Sequence, residues 1–212
     1  MWYGISILIC AVVIAVVNVA LNNVFYNLPA WQIIAVVAAN VVVVILIDGI
    51  FALIIRRALP KKWFTYERKC FQVGKRERKF YEKLGIRKWK DWVAELGMFT
   101  NFSKSQVANP DDNEYIERFL LESNYGYVIH LVGAVTGFLI TVIFPLKFAL
   151  LIGLPVGIVN VIYNLMSAFI LRYNVPRLMA VHKRNEIMKK RAERSASAQA
   201  ESDVQSDRLQ AV

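Results

Sequence analysis

The sequence predicts an all-α membrane protein, with four transmembrane helices and an amphipathic, interfacial cytoplasmic helical region between spans two and three. Three observations carry this. The 212 residues are 57% hydrophobic, yet 20% are charged. The charges are gathered into blocks between long uncharged runs, whereas a soluble domain scatters them among its apolar residues. The net charge of +10 is concentrated next to those runs. A basic balance suits either nucleic acid or an anionic membrane surface. No nucleic-acid reader motif accompanies it, so membrane lipids are the expected partner and nucleic acid is not.

Residues 1–21 are apolar, with no basic residue ahead of them. A secretory signal needs a basic leading segment and a small-residue cleavage site, so this run is expected to be a retained first span. Residues 22–29 are a short turn with the interfacial aromatics Phe25 and Tyr26. Residues 30–55 are the second span, headed by Trp31 and stopped by Arg56 and Arg57. Each run has about 20 residues or more, enough to cross the hydrocarbon core. Residues 1–57 thus form the first membrane unit.

The second unit is 58–126. Residues 56–90 hold fourteen Lys and Arg against three Glu, interleaved with Trp63, Phe64, Tyr66, Phe71, Phe80, Tyr81 and Trp89. Such a pattern fits short helices lying in the interface, with cations toward headgroups and rings in the boundary. Helices are expected over 77–84 and 86–96, separated by Gly85. Residues 91–126 reverse the sign, with seven acids and two bases. Asn109-Pro110-Asp111-Asp112 marks a turn or helix start, and 112–123 reads as a polar helix leading into the membrane.

The third unit, 127–178, is a helical hairpin. Residues 127–144 are a short third span, Pro145 marks a tight turn, and 146–171 are the fourth span. The fourth span is expected to stop at Arg172-Tyr173-Asn174-Val175-Pro176-Arg177-Leu178. Residues 179–212 are a tail, basic to Arg194 and then rich in Ala, Ser, Glu and Gln, read as disordered or weakly helical. Of the twenty-six basic residues, sixteen lie in 56–118 and nine from Arg172 onward. The positive-inside rule therefore puts the long loop and both termini in the cytoplasm.

Polar groups at membrane depth are the candidates for chemistry. Asp48 is the only acid within a span; it either functions or pairs with Arg56, Arg172 or a helix end. His130, three residues into the third span, is either an interhelical donor or a general base, since a neutral imidazole can take a hydroxyl proton. It shares a face with Gly133, Gly137 and Thr141. On the fourth span Gly153, Gly157, Asn160, Asn164 and Ser167 recur at spacings of three and four. Small residues on both faces allow close approach, and Pro155 invites a kink. The two asparagines serve as interhelical glue or as donors to a developing oxyanion. Folding the hairpin about Pro145 matches His130 with Asn160 in depth, with Asn164 one turn nearer the cytoplasm and level with Asp48. Glu122, Arg172 and Tyr173 border that layer. Cys10 and Cys70 give neither a disulfide framework nor metal-ligand spacing, and with two histidines no metal is expected.

Two stretches resemble one known family. The first runs from Glu77 through Tyr81 and Gly85 to Ile86-Arg87-Lys88-Trp89-Lys90-Asp91. The second runs from Tyr163-Asn164 to Arg172-Tyr173-Asn174-Val175-Pro176-Arg177-Leu178. With Glu122 and His130 between them, they resemble the glycosyl-4,4'-diaponeurosporenoate acyltransferase family of small, multi-pass bacterial membrane proteins, over roughly residues 63–178. Where family members commonly continue the first motif with a Leu-Pro-Glu-like end, this chain has Trp92-Val93-Ala94-Glu95. The resemblance implies transfer of a fatty acyl group to a sugar hydroxyl of a glycosylated carotenoid, and residence in a bacterial cell membrane. The His-x-x-x-x-Asp motif of soluble-type glycerolipid acyltransferases is missing, because His130 is followed by Ala134 and Val135, and His182 by Glu186 and Ile187.

The resulting expectation is an acyltransferase acting on a lipid-linked or glycosylated hydroxyl acceptor. His130 is its base, aided by Asp48 or Glu122, and Asn160 and Asn164 are its oxyanion donors. Arg172, Tyr173, Asn174, Arg177, Trp89 and Lys90 are expected to bind substrate. No cofactor is expected beyond an acyl donor such as acyl-CoA or an acyl carrier. A non-catalytic lipid-binding scaffold and a small transporter are the alternatives, and the sequence leaves the oligomeric state open.

Overall fold

A computed structural model describes residues 2–93 and 109–210. Every regular element among them is helical. Helix α1 (Trp2–Ala20) and the short α2 (Asn22–Phe25) lead to α3 (Ala30–Ala58). The connection is held by Asn22, whose amide donates to the Leu28 carbonyl at 2.7 Å while its oxygen accepts from Leu28 N at 3.0 Å. Asn27 sits there at φ 52, a left-handed conformation that asparagine tolerates better than most residues.

After α3 come two 3-10 turns, Lys61–Trp63 and Lys69–Phe71, then α4 (Lys75–Lys83) and α5 (Ile86–Trp89). Gly85 joins the last two at φ 64, where a side chain is strained. A further 3-10 turn covers Lys90–Trp92, and the remainder of the helix expected to 96 lies outside the described residues. This layer is fastened by buried rings. Phe64 stacks on Tyr125 at 3.9 Å, and Tyr81 and Ile86 bury against Ile170.

Helix α6 (Asn113–Thr136) starts at Asp112, whose carboxylate accepts from Glu114 N at 2.9 Å and Tyr115 N at 3.3 Å. Two orphan amides of the first turn are thereby satisfied. The polar helix and the third span are one continuous rod, because no breaker separates them. A 3-10 turn at Gly137–Leu139 leads into α7 (Ile140–Ile143). After Pro145 come the one-turn α8 (Leu146–Phe148), a π turn at Ala149–Gly153 and α9 (Leu154–Gln210).

Pro155 has no N–H for the Leu151 carbonyl four residues back; the Asn18 amide of α1 donates to that carbonyl at 3.0 Å. The helix of the fourth span does not end at its polar motif as expected. Pro176 lies inside α9, which continues to Gln210. One proline removes a single intrahelical bond, and the following run of Leu, Met, Ala, Lys, Arg and Glu favours helix. Helix thus covers the stretch for which the sequence left disorder and weak helix open.

Helix α9 packs along α6 over most of the shared length, with α3 against α6 and α1 against α3. Three helical stretches, Ala30–Ala58, Asn113–Ile143 and Leu146–Gln199, are long and apolar enough to cross a membrane; Gly4–Ala20 is a shorter apolar helix. Leu8, Val16, Trp31, Leu46, Val142 and Leu150 point outward, an apolar girdle suited to lipid.

Candidate active site

The site is built where α3, α6 and α9 meet. Asn164 is buried at its centre. Its Nδ2 donates to Asp48 Oδ2 at 2.9 Å and lies 3.0–3.1 Å from Asn160 Oδ1 and O. Its Oδ1 is 2.9 Å from His130 Nδ1. Asp48 as a carboxylate only accepts, which fixes the Asn164 amide with nitrogen toward Asp48 and oxygen toward His130. An amide oxygen also only accepts, so Nδ1 of His130 is the donor in this contact, and in the neutral ring Nε2 is then the basic nitrogen. The two N–H groups of Asn164 are therefore spent on Asp48 and Asn160. Asn160 differs: its Nδ2 donates to the Gly133 carbonyl at 3.1 Å and reaches Asp48 Oδ1 only at 3.5 Å. One of its N–H groups is held weakly.

Glycine makes the layer possible. A methyl on Gly133 would stand 3.0 Å from both Asn164 Oδ1 and Asp48 Oδ1, and one on Gly137 would collide with the Asn160 amide. Gly157 receives the ring of Phe138 in the same way. The small faces of α6 and α9 do meet, but they make room for amides and a ring rather than for each other. The helix register is one turn from that expected. Pairing His130 with Asn164 centres the hairpin two residues beyond Pro145, because the turn includes α8 as well as the proline. Beside Asn160 a narrow apolar slot opens between α1, α3 and α9, lined by Ile7, Cys10, Val41, Val44 and Val156.

The other expected residues divide. Glu122 accepts from Arg56 at 2.7 Å, eight residues before His130 and about 12 Å down the helix. Asp48, not Glu122, is the carboxylate joined to His130. Arg172 is committed to the protein. It grips Glu77 with Nε and Nη2, both at 2.8 Å, donates to the Cys70 carbonyl at 3.1 Å, and lies over the Tyr127 ring at 4.9 Å. Such a bidentate, buried guanidinium clamps α4 to α9 and has little left for substrate.

Tyr81 adds its hydroxyl to Glu77 at 2.7 Å. Burial pushes the Glu77 carboxyl up, but the hydrogen bonds from Arg172 and Tyr81 and the guanidinium charge outweigh it and hold it below the usual range. Burial, reinforced by Glu77, raises the Tyr81 hydroxyl well above its ordinary value. Trp89 donates to the Leu84 carbonyl at 3.0 Å, and Lys90 lies 3.8 Å from Asp91. Asn174 is half-buried on α9. Tyr173 and Arg177 line a cleft of about 650 Å³ together with Arg78, Arg87 and Lys88.

Among polar groups of the spans, sequence inspection missed Asn18 and Asn40. Asn18 accepts from the Tyr26 hydroxyl at 2.6 Å, and Asn40 is fully buried with its amide on the Val36 carbonyl. An amide in an apolar run carries no directional signal, so neither was visible.

No curated protein and no solved structure matches the chain. The family described as glycosyl-4,4'-diaponeurosporenoate acyltransferase matches residues 60–184, a span that contains α4 to α8, the His130, Asn160 and Asn164 side chains and the Arg172 clamp. That is more than half of the 212 residues. The apolar helices and this match together make the chain a membrane protein, and it belongs to the glycosyl-4,4'-diaponeurosporenoate acyltransferase family.

Proposed function

We propose that the protein transfers a fatty acyl group to a hydroxyl of a glycolipid or isoprenoid-glycoside acceptor at the cytoplasmic face of a bacterial cell membrane. The chain Asp48–Asn164–His130 carries this proposal. It holds the imidazole in the tautomer whose Nε2 takes a proton, the arrangement a hydroxyl nucleophile requires. In the proposed step the acceptor oxygen attacks the acyl carbonyl carbon of a thioester donor as its proton passes to Nε2. The weakly held Asn160 N–H turns to the oxygen on which charge develops. Collapse breaks the carbon–sulfur bond, and the imidazolium returns the proton to the departing thiolate. The apolar slot beside Asn160 suits the start of an acyl chain.

Four spans with both termini cytoplasmic accompany this proposal. The distribution of basic residues supports it, as does the insertion of α1 into the bundle through Ala11, Ile14 and Val19. A scaffold in which the layer is only interhelical glue is the competing account, because these contacts also tie three helices together. His130→Gln separates the two: it retains a side-chain donor toward Asn164 but lacks a base. Acyl transfer from a labelled donor into membrane lipid extract should fall by about 10²–10⁴-fold in this variant with the melting temperature in detergent kept. Full transfer activity in a folded His130→Gln protein would refute the mechanism.

A further inference from the structure

The cleft between α4, α5 and the part of α9 beyond Arg172 has no part in the proton chemistry, yet it is far larger than the slot beside Asn160. Its volume of about 650 Å³ lies in the range of small-molecule sites, roughly 300–1,000 Å³. Its rim carries Arg78, Arg87, Lys88 and Arg177 against one acid, Glu82, and Arg78 already pairs with that acid at 3.0 Å. Among the described residues, Arg87, Lys88 and Arg177 pair with no carboxylate. Three exposed cations facing one concavity raise its positive potential and favour an anion there. The walls between them are not charged: Tyr173, Ile86, Pro176 and Ala180 supply a ring and apolar surface. A flat headgroup array needs no such concavity. A molecule with clustered phosphates and a planar base matches both the rim and the walls, the phosphates by charge-assisted contacts and the base by stacking.

We infer that this cleft takes the phosphate-bearing end of a soluble acyl thioester donor of the coenzyme A type. The position fits the site described above. Arg177 is seventeen residues beyond Asn160 on α9, about 25 Å of helical rise toward the cytoplasm. A donor lying along α9 has its phosphates at the cleft and its thioester near Asn160, with the linking arm between. Arg172 contributes indirectly, by clamping the α4 side of the cleft to α9 through Glu77. The identity of the donor rests on the acyl-transfer proposal, whereas the anion site does not.

The test is binding of free coenzyme A to the full chain in phosphatidylcholine nanodiscs, followed by calorimetry. Coenzyme A should bind, pyrophosphate should compete, and affinity should drop with added salt. The double variant Arg87→Gln with Arg177→Gln should weaken binding by about tenfold or more, and Lys88→Gln should weaken it independently. All three side chains are exposed, so an unchanged melting temperature is expected and checks the fold. No binding, or equal binding by wild type and variants, overturns the inference. A second arm uses discs containing phosphatidylglycerol. If the substitutions lower retention of that lipid and leave coenzyme A untouched, the cleft serves headgroups and the inference fails. His130-dependent transfer without coenzyme A binding defeats the cleft alone. Cleft-dependent binding without any transfer defeats the proposed reaction alone.

Discussion

Asn164 gives its amide nitrogen to Asp48 at 2.9 Å, joining α9 to α3, and turns its amide oxygen to His130 on α6. The carboxylate therefore acts on the imidazole through one intervening amide. Replacing Asp48 by Asn keeps the size of the side chain but lets the Asn164 amide reverse, since an asparagine both donates and accepts. Reversal presents N–H to His130 and moves its proton to Nε2. Asp48→Asn should lower kcat for acyl transfer by about 10²-fold, with the KM for the acceptor little changed. Combined with His130→Ala it should cost almost nothing more, because residues that act as a unit are not additive. Additive losses in that double-mutant cycle would separate Asp48 from His130.

The close approach of α6 and α9 gives the second prediction. A methyl at Gly137 meets the Asn160 side chain with no space to spare. Gly137→Ala should cost about 1–3 kcal/mol by overpacking and should lower transfer activity more than stability, since the displaced group is the proposed oxyanion donor. Val135→Ala is the comparison, two residues away and 72% exposed. It should leave both detergent melting and transfer unchanged.

How much of this was legible follows from the range of each interaction. The layer of Asp48, His130, Asn160 and Asn164 could be assembled by counting residues, because a hairpin of two helices has a nearly fixed rise and a proline marks its turn. The one-turn error came from the turn itself: α8 and the π turn at Ala149–Gly153 leave no local pattern in an apolar sequence. The pairing of Arg172 was hidden for a different reason. Its partner Glu77 is ninety-five residues away, and an arginine at a membrane boundary looks the same whether it awaits a phosphate or clamps a carboxylate. The Arg172–Leu178 motif does not end the helix, because tertiary packing of Val175 and Leu178 against Ile116 and Leu120 overrides the one hydrogen bond that Pro176 removes.

The Glu77 clamp predicts a pH dependence. Its carboxyl is held below the ordinary glutamate range by Arg172 and Tyr81, which together outweigh the effect of burial. A depressed folded-state value means that the stabilisation is fully present above the unfolded value and is lost as pH falls through the folded one. The contribution of this pair to detergent melting should therefore be full and independent of pH around neutrality, and should decline below about pH 4.5. Glu77→Gln should remove that component of the decline. At neutral pH it should destabilise by about 2–4 kcal/mol, less than for a fully buried pair because the Glu77 side chain is 29% exposed while Arg172 is left without its partner. A Glu77→Gln protein with wild-type melting at neutral pH would show that the clamp contributes nothing.

The opposite end of the bundle should report on stability alone. Tyr26 donates its hydroxyl to Asn18 Oδ1 at 2.6 Å, both residues are buried, and the Tyr26 ring stacks on Phe148 at 5.4 Å. Tyr26→Phe keeps the ring and removes the donor, leaving a buried amide oxygen unsatisfied. The expected cost is about 1–3 kcal/mol, read as a lower melting temperature in detergent. Asn18→Ala in the same protein should add less than its effect in the wild type, because no orphaned oxygen then remains. Asn18 also holds the Leu151 carbonyl that Pro155 cannot serve, so part of its cost persists. Tyr26 touches none of Asp48, His130, Asn160 or Asn164, and transfer measured well below the lowered melting temperature should match the wild type. A Tyr26→Phe enzyme that melts normally but transfers poorly would mean that this end of the bundle takes part in the reaction.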